Sequence, residues 1–447
     1  MTRELVFILL YLVSFLPLLL SLFLNSSLRL QSMLFVFSLG ILVMQTVSMD
    51  VRWQLFPVYL LMLCCSLALL LNLLSSKTPK WLSVTCFLMS LGLLGSSAFL
   101  SYLLPVIILP EPTGVYQVGT RLEQANDVMI RLWYPAKPDE TVERYRYLEG
   151  LDKPVLGIPG FVYSHLKSKT TVAYSSAEPS ENEQGYPVIL YTHGADSFAE
   201  ENSLRFMELA SHGFILAAIE HPIPFKTYHI SAKLAQDPEA FTLRLTNDVL
   251  PNRVKDVHTA VQKLEELNRT DAQFQGKLEL NQLAASGFSF GGSVASEYCF
   301  ESERCKAIIN LDGNAFGKAK QGLNSPYLQL SQSVAVPQED IPVPETTMQK
   351  TSNHYRQEVK ELLRNTKEQE TTYWLQIKGT GHASFTDLIH WTPARFGMFK
   401  LLLGESKTRE TVTIINQLTL EFLKEHLSGK EGFDETIKKY NVQKLEY

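Results

Sequence analysis

Gly287-Phe288-Ser289-Phe290-Gly291 is a G-x-S-x-G pentapeptide. It sits between a short apolar run, Leu283-Ala284-Ala285-Ser286, and a stretch of small residues, Gly292-Ser293-Val294-Ala295-Ser296. The apolar run reads as a buried strand and the small residues as the start of a helix packed closely on a sheet. A serine held between two such elements needs a strained backbone. Gly287 and Gly291 flank it because a side chain at either position would collide with the neighbouring strand or helix. This is the pattern of a nucleophile elbow: Ser289 stands at the end of a strand, and the first N–H groups of the following helix point at any oxyanion formed there. Chance alone gives roughly 0.1 to 0.2 such pentapeptides in a chain of this length, so its surroundings decide the reading.

Upstream of the elbow, Pro187-Val188-Ile189-Leu190-Tyr191 is wholly apolar and stops at Thr192-His193-Gly194-Ala195. A strand without polar alternation is buried on both faces, as in a parallel sheet. The spacing predicts a helix over Ser203 to Ser211, a second apolar strand over Phe214 to Ile219, and an amphipathic helix over Leu250 to Leu267 with Val254, Val257, Val261 and Leu264 on one side. Beyond the elbow, Ala307 to Leu311 forms another apolar strand ending at Asp312-Gly313, and Thr371 to Lys378 a last one running into Gly379-Thr380-Gly381-His382. A hairpin is expected at Val115 to Leu122 and Val128 to Tyr134, with Asn126-Asp127 between them. Strands alternating with helices predict an open α/β sheet whose site lies beyond the carboxyl ends of its strands. His193-Gly194, Ser289 and Asp312 all fall at such ends. The stretch 332–370 interrupts the rhythm with prolines and charges and reads as an insertion carrying a solvated helix over Gln349 to Lys367. A helix over Val412 to Leu427 closes the fold.

The first hundred residues are different in kind. Of the 41 basic and 46 acidic side chains, five and two lie before residue 105, which leaves 36 and 44 for the remainder. That acidic balance argues against nucleic acid as a partner. Four apolar stretches, 5–24, 30–47, 55–74 and 81–104, have the length to cross a bilayer. Four successive runs do not resemble a cleaved signal, and their lack of polar faces argues against a soluble bundle. The expected organisation is therefore a four-helix transmembrane region over 1–105 and a catalytic domain over 106–447. With four spans both termini share a side. Arg29, Lys77 and Lys80 on the opposite loops outnumber Arg3 and Arg52, which places the catalytic domain outside the cytoplasm at the cell membrane. Cys299 and Cys305, the two cysteines of the polar part, could form a disulfide if the domain lies outside, and read in the first place as ordinary core thiols.

An activated serine needs a base within hydrogen-bonding reach and an acid to orient that base. In α/β-hydrolases these follow in the order serine, aspartate, histidine, and Ser289, Asp312 and His382 satisfy both the order and the strand-end placement. His193, in the loop expected to supply half of an oxyanion hole, suits a structural role. His221, in Glu220-His221-Pro222, is the main rival base, although it precedes the serine.

Several blocks together resemble the plasma and type II platelet-activating-factor acetylhydrolase family. They are Thr192-His193-Gly194-Ala195, Ala217 to His221, Gly287 to Gly292, Leu311-Asp312, Gly381-His382-Ala383-Ser384-Phe385-Thr386-Asp387 and Phe422 to Asp434. The similarity runs over roughly residues 110 to 435 and is that of a membrane-anchored, bacterial-type member. It implies an α/β-hydrolase fold and a calcium-independent serine esterase that needs no cofactor or metal and removes short or oxidatively truncated acyl chains from phospholipids. Ser289 is then the nucleophile, His382 the base and Asp312 its orienter, with the N–H groups of Ala195 and Phe290 as the oxyanion hole. The chain departs from the family in three places: Phe288 stands where a histidine is usual, Ala195 replaces a bulkier residue, and 332–370 is longer. The apolar residues of Phe225 to Leu245 suit a lid or a membrane-facing surface. The alternative classes are a catalytically silent domain that binds a lipid or signal, and a transporter with an accessory hydrolase domain; the intact triad and the scarcity of charge in the spans weigh against them.

Overall fold

A computed structural model describes residues 3–447 except 25, 50–51, 75–79, 140, 150, 152–153, 155–157, 224–236, 334–346 and 368. The chain divides into two compact units: residues 1–108 with Phe161–Ser168 and Trp391–Ala394, and the remainder.

The first unit holds helices α1 (Arg3–Phe23), α2 (Leu28–Met49), α3 (Phe56–Leu74) and α4 (Lys80–Leu103). Phe15, Leu18, Leu61 and Val58 pack at its centre, while Val13, Met33, Val36, Leu63 and Met89 are exposed. Several of its polar side chains turn inward and bond to a neighbouring segment. Tyr11 Oη donates to Gln45 Oε1 at 3.0 Å, Ser38 Oγ to the Ser14 carbonyl at 3.1 Å, and Ser97 Oγ to the Gln54 carbonyl at 2.8 Å. Of the four expected spans, two have, among the described residues, the length and composition to cross a membrane: Leu28–Val47 (20 residues) and Trp53–Leu70 (18 residues), only 28% and 33% buried. The apolar parts of the first and fourth helices are shorter, Leu9–Ser21 and Phe87–Leu103.

The second unit is built on one eleven-stranded sheet. Its elements, in order, are β1 (Gln117–Ala125), β2 (Val128–Ala136), β3 (Arg144–Arg146), β4 (Thr170–Ser175), β5 (Tyr186–Thr192), α5 (Ser203–Ser211), β6 (Ile215–Glu220), α6 (Pro238–Arg244), α7 (Leu250–Thr270), β7 (Leu278–Phe288), α8 (Phe290–Glu301), β8 (Cys305–Leu311), β9 (Tyr327–Ser331), α9 (Thr347–Asn365), β10 (Thr372–Gln376), α10 (Leu388–Trp391), α11 (Gly397–Leu403), α12 (Thr408–Ser428), α13 (Phe433–Lys439) and β11 (Gln443–Lys444). The strands lie in the order β11-β10-β9-β8-β7-β5-β6-β2-β1-β4-β3. The run from β6 to β10 is parallel, and antiparallel pairs flank it at β6/β2, β2/β1 and β10/β11. This is the mostly parallel sheet flanked by helices that the apolar strands foretold. Val188, Leu190, Ala285 and Ile308 of its central strands pack with Val254, Val257 and Leu264 of α7 in one core.

The expected hairpin forms in register, with Ala125 opposite Val128. Strands β3, β4, β9 and β11 lie where the sequence reading named no strand. They are short segments whose pairing, rather than whose alternation, makes them strands. The helix expected at Gln349 to Lys367 is present as α9. Positions 334–346 of the insertion and 225–236 of the lid candidate lie outside the described residues.

Of the two readings of Cys299 and Cys305, the structure shows the disulfide and not the favoured pair of core thiols. The last turn of α8 returns the chain to the start of β8, so their Cα atoms stand 5.4 Å apart, within the reach of a disulfide.

Candidate active site

The elbow forms where the pentapeptide predicted it. Ser289, between β7 and α8, has φ +54° and ψ −123°, a strained conformation for a residue with a side chain. Its N–H donates to the Leu311 carbonyl at 3.0 Å, and its own carbonyl accepts from Gly292 N at 3.0 Å. The close approach explains the flanking glycines: a Cβ on Gly291 would lie 2.0 Å from the Thr192 carbonyl oxygen, and one on Gly287 would lie 2.2 Å from the Gly291 backbone. Gly292 is equally constrained, since its Cβ would meet Asn310 Oδ1 at 2.0 Å.

Two loops at the carboxyl ends of β8 and β10 bring the other two candidates to the serine. His382 Nε2 lies 3.0 Å from Ser289 Oγ, and His382 Nδ1 lies 2.6 Å from Asp312 Oδ2. Asp312 follows β8 at φ +53°. Its N–H donates to the Leu330 carbonyl at 2.7 Å, and its other carboxylate oxygen accepts from Gln332 N at 2.8 Å. Asn310 braces this turn, accepting from Gly313 N at 2.8 Å and donating to the Asn314 carbonyl at 3.2 Å. His382 opens a short helical turn whose Ser384 Oγ donates to the Leu403 carbonyl at 2.7 Å. The Phe288 ring lies 4.6 Å from the imidazole, tilted by 33°. A residue that departs from the family pattern thus forms one wall of the base.

The rival histidines are placed elsewhere. His193 is buried, with Nδ1 2.8 Å from the Gly194 carbonyl oxygen, so it is bound up with the loop backbone. His221 Nδ1 lies 2.8 Å from Asp256 Oδ2, a partner the sequence reading did not foresee. Phe290 is the first residue of α8, so its N–H belongs to the donors that a helix leaves without an intrahelical acceptor. In the loop after β5, Gly194 N–H is already donated to Glu201 Oε1 at 3.0 Å, and Ala195 follows it.

Two buried carboxyls missed by the sequence reading hold these loops. Glu201 also accepts from Tyr191 Oη at 2.8 Å and from Ser197 Oγ. Asp387, five residues after His382, accepts at Oδ2 from Ser203 Oγ (2.9 Å), Tyr147 Oη (3.1 Å) and Leu204 N (3.2 Å). Asp387 N–H in turn donates to the Glu201 carbonyl at 2.8 Å. Burial raises both carboxyls to about 7. Asp387 closes the block Gly381 to Asp387 that carried the family resemblance, which was its one signal. Glu201 had none.

Among the described residues no group of three or more histidines, cysteines or carboxylates is arranged to hold a metal. The site brings together a hydroxyl bonded to an imidazole, an imidazole bonded to a carboxylate, and a helix N-terminus beside the hydroxyl.

Residues 105–444 match the family model described as platelet-activating factor acetylhydrolase, isoform II. The chain is 26% identical over 404 residues to the platelet-activating factor acetylhydrolase of Bos taurus, covering 80% of this chain and 84% of the bovine one. It is 24% identical over 366 residues to that of Canis lupus familiaris, covering 73% and 79%. Among solved structures, the ferulic acid esterase from Streptomyces cinnamoneus superposes with a TM-score of 0.58 at 20% identity, over 76% of this chain and 99% of that one, a likeness of fold. Three quarters of the chain, including every residue of the site just described, thus falls within a single family match, and the chain belongs to the platelet-activating factor acetylhydrolase, isoform II, family.

Proposed function

We propose that this protein is a membrane-anchored serine esterase that hydrolyses carboxylic esters, with short or truncated acyl chains of phospholipids as its substrate class. The observation that carries the reading is the continuous hydrogen-bonded line from Ser289 through His382 to Asp312. His382 takes the Ser289 proton as Oγ attacks the ester carbonyl, and the N–H groups of Ala195 and Phe290 receive the developing oxyanion, each contributing about 3 kcal/mol. Asp312 holds the imidazole in the tautomer that presents Nε2 as an acceptor and stabilises the imidazolium that forms. His382 then protonates the leaving alcohol, and water attacks the acyl-enzyme by the same route in reverse. The family implies turnover without calcium, so chelation of divalent cations should leave the rate unchanged.

The apolar exterior of the first unit supports a membrane region over 1–105, with α1 and α4 joining α2 and α3 as spans and 106–447 as the catalytic domain. A catalytic domain outside the cytoplasm suits the Cys299–Cys305 disulfide, since such bonds persist in oxidising compartments. A lipidic substrate suits the apolar side chains Phe396, Met398 and Leu401 exposed on and just before α11, the helix that pins the His382 turn. Anchoring beside the bilayer raises the effective concentration of such a substrate without added affinity.

The test is labelling of the detergent-solubilised chain by a fluorophosphonate probe, followed by an ester series of increasing acyl length. Labelling and turnover that require both Ser289 and His382, with Asp312→Asn reduced by about 10⁴-fold in kcat, are expected. A folded chain that neither labels nor turns over any ester defeats the reading and leaves lipid binding as the account.

A further inference from the structure

The loop that supplies Ala195 is held by one side chain of a distant helix. Arg253 of α7 is buried. Its Nη1 donates to the carbonyls of His193 (2.9 Å) and Gly194 (3.1 Å), and its Nη2 donates to that of Ala195 (2.9 Å). Three successive peptide carbonyls thus converge on one guanidinium. In a trans peptide the C=O and the N–H of the next residue point in opposite directions. Fixing the Gly194 carbonyl toward Arg253 therefore fixes the Ala195 N–H away from it. The preceding peptide obeys the same rule visibly: its His193 carbonyl faces Arg253, and its Gly194 N–H donates to Glu201 Oε1 at 3.0 Å on the other side. The Arg253 guanidinium carbon also lies 5.3 Å from the centroid of the Phe290 ring, whose residue supplies the second N–H. One cation therefore bonds the loop of Ala195 and lies over the ring of Phe290.

We propose that Arg253 is a positioning residue that sets the Ala195 N–H in its oxyanion-binding orientation before substrate arrives. The proposal rests on the esterase reading above. Preorganised donors accelerate a reaction because they need not reorient as charge develops, so their loss falls on the transition state and not on substrate binding. A planar guanidinium with several donors in fixed directions can serve three carbonyls at once. A lysine ammonium at the end of a flexible stem is a point charge and cannot reproduce that geometry.

The experiment compares steady-state ester hydrolysis by the full-length, detergent-solubilised chain with that by Arg253→Lys and Arg253→Gln, with Ser289→Ala as the control. Both Arg253 variants are expected to lose about 10²-fold in kcat, on the scale of one oxyanion donor, with KM changed by less than about threefold and thermal midpoints moved far less than activity. Retention of kcat within about threefold in Arg253→Lys overturns the proposal. So does a parallel loss of kcat, KM and folded protein in both variants, which would make Arg253 a structural residue only. Hydrogen exchange of the unsubstituted chain gives an answer independent of any variant: the Gly194 amide, which donates to Glu201 within the loop that Arg253 holds, should be as protected in the free enzyme as in the phosphonylated one, while the Ala195 amide gains protection once the phosphonyl oxygen accepts from it. Protection of Gly194 gained only on phosphonylation refutes presetting. If Ser289→Ala still turns over ester, it is the esterase assignment that fails, and the Arg253 results then bear on nothing catalytic.

Discussion

Replacing Asp387 by asparagine should make the catalytic unit more stable at alkaline pH, the reverse of what removing a buried hydrogen-bonded charge suggests. The carboxyl is buried and its pKa is raised from 3.8 to about 7, chiefly by desolvation, which the donors Leu204 N and Ser203 Oγ, the Arg205 charge and Tyr147 Oη offset only in part. An acid with a raised folded-state pKa binds its proton more tightly in the folded chain than in the unfolded one. Stability from this group is therefore complete below about pH 4 and is lost as pH rises toward 7, at about 1.4 kcal/mol per unit, or about 4 kcal/mol across the window. The amide cannot ionise and has no such slope. All three donors converge on the single oxygen Oδ2, so an asparagine carbonyl in that place keeps all three bonds. Glu201 is raised to about 7 as well and loses stability over the same range, so the quantity to measure is the difference between the two chains at each pH. Urea unfolding of the detergent-solubilised protein, followed by loss of fluorophosphonate labelling between pH 5 and 8, supplies it. The advantage of the variant should be about 2.5 kcal/mol larger at pH 8 than at pH 5. Parallel pH profiles, or a variant less stable at pH 8, would show that Asp387 is ionised and stabilising in the folded state, and the reasoning from burial would fail.

An opposite slope is expected at Asp271. Arg121 grips its carboxylate with two bonds, 2.6 Å and 3.0 Å long, and its pKa is lowered to about 2, mainly by that guanidinium. This stabilisation is present above pH 4 and disappears as pH falls through 2, so Arg121→Met should cost about 1 to 2 kcal/mol at pH 7 and clearly less at pH 3; equal costs at both pH values would refute the assignment. For Cys299–Cys305, the small loop closed by the bond implies about 2 kcal/mol. Reductant should lower the thermal midpoint of the unsubstituted chain and leave that of Cys299→Ser unmoved, and alkylation of either residue without reductant would disprove the bond.

The elbow, the strand-end placement of Ser289, Asp312 and His382, and the α/β alternation were legible in the sequence because each depends on local rules. A glycine marks a place where a Cβ would collide, a wholly apolar run marks a strand buried on both faces, and a polar residue just after such a run marks a carboxyl end. The candidate site was legible to the same depth: three residues in a fixed order, with the family blocks around them. What tertiary structure alone decided are contacts between segments far apart in the chain. Arg253 meets three carbonyls about sixty positions upstream, and Asp387 meets the start of α5 more than 180 positions away. In sequence each is one charged residue among many, and only packing shows that it is buried and what it holds. Strands β3, β4, β9 and β11 were decided the same way, since an available neighbour and not their own alternation makes them strands. The disulfide depended on the return of α8 toward β8, which brings Cys299 and Cys305 together at a distance that residue spacing does not specify.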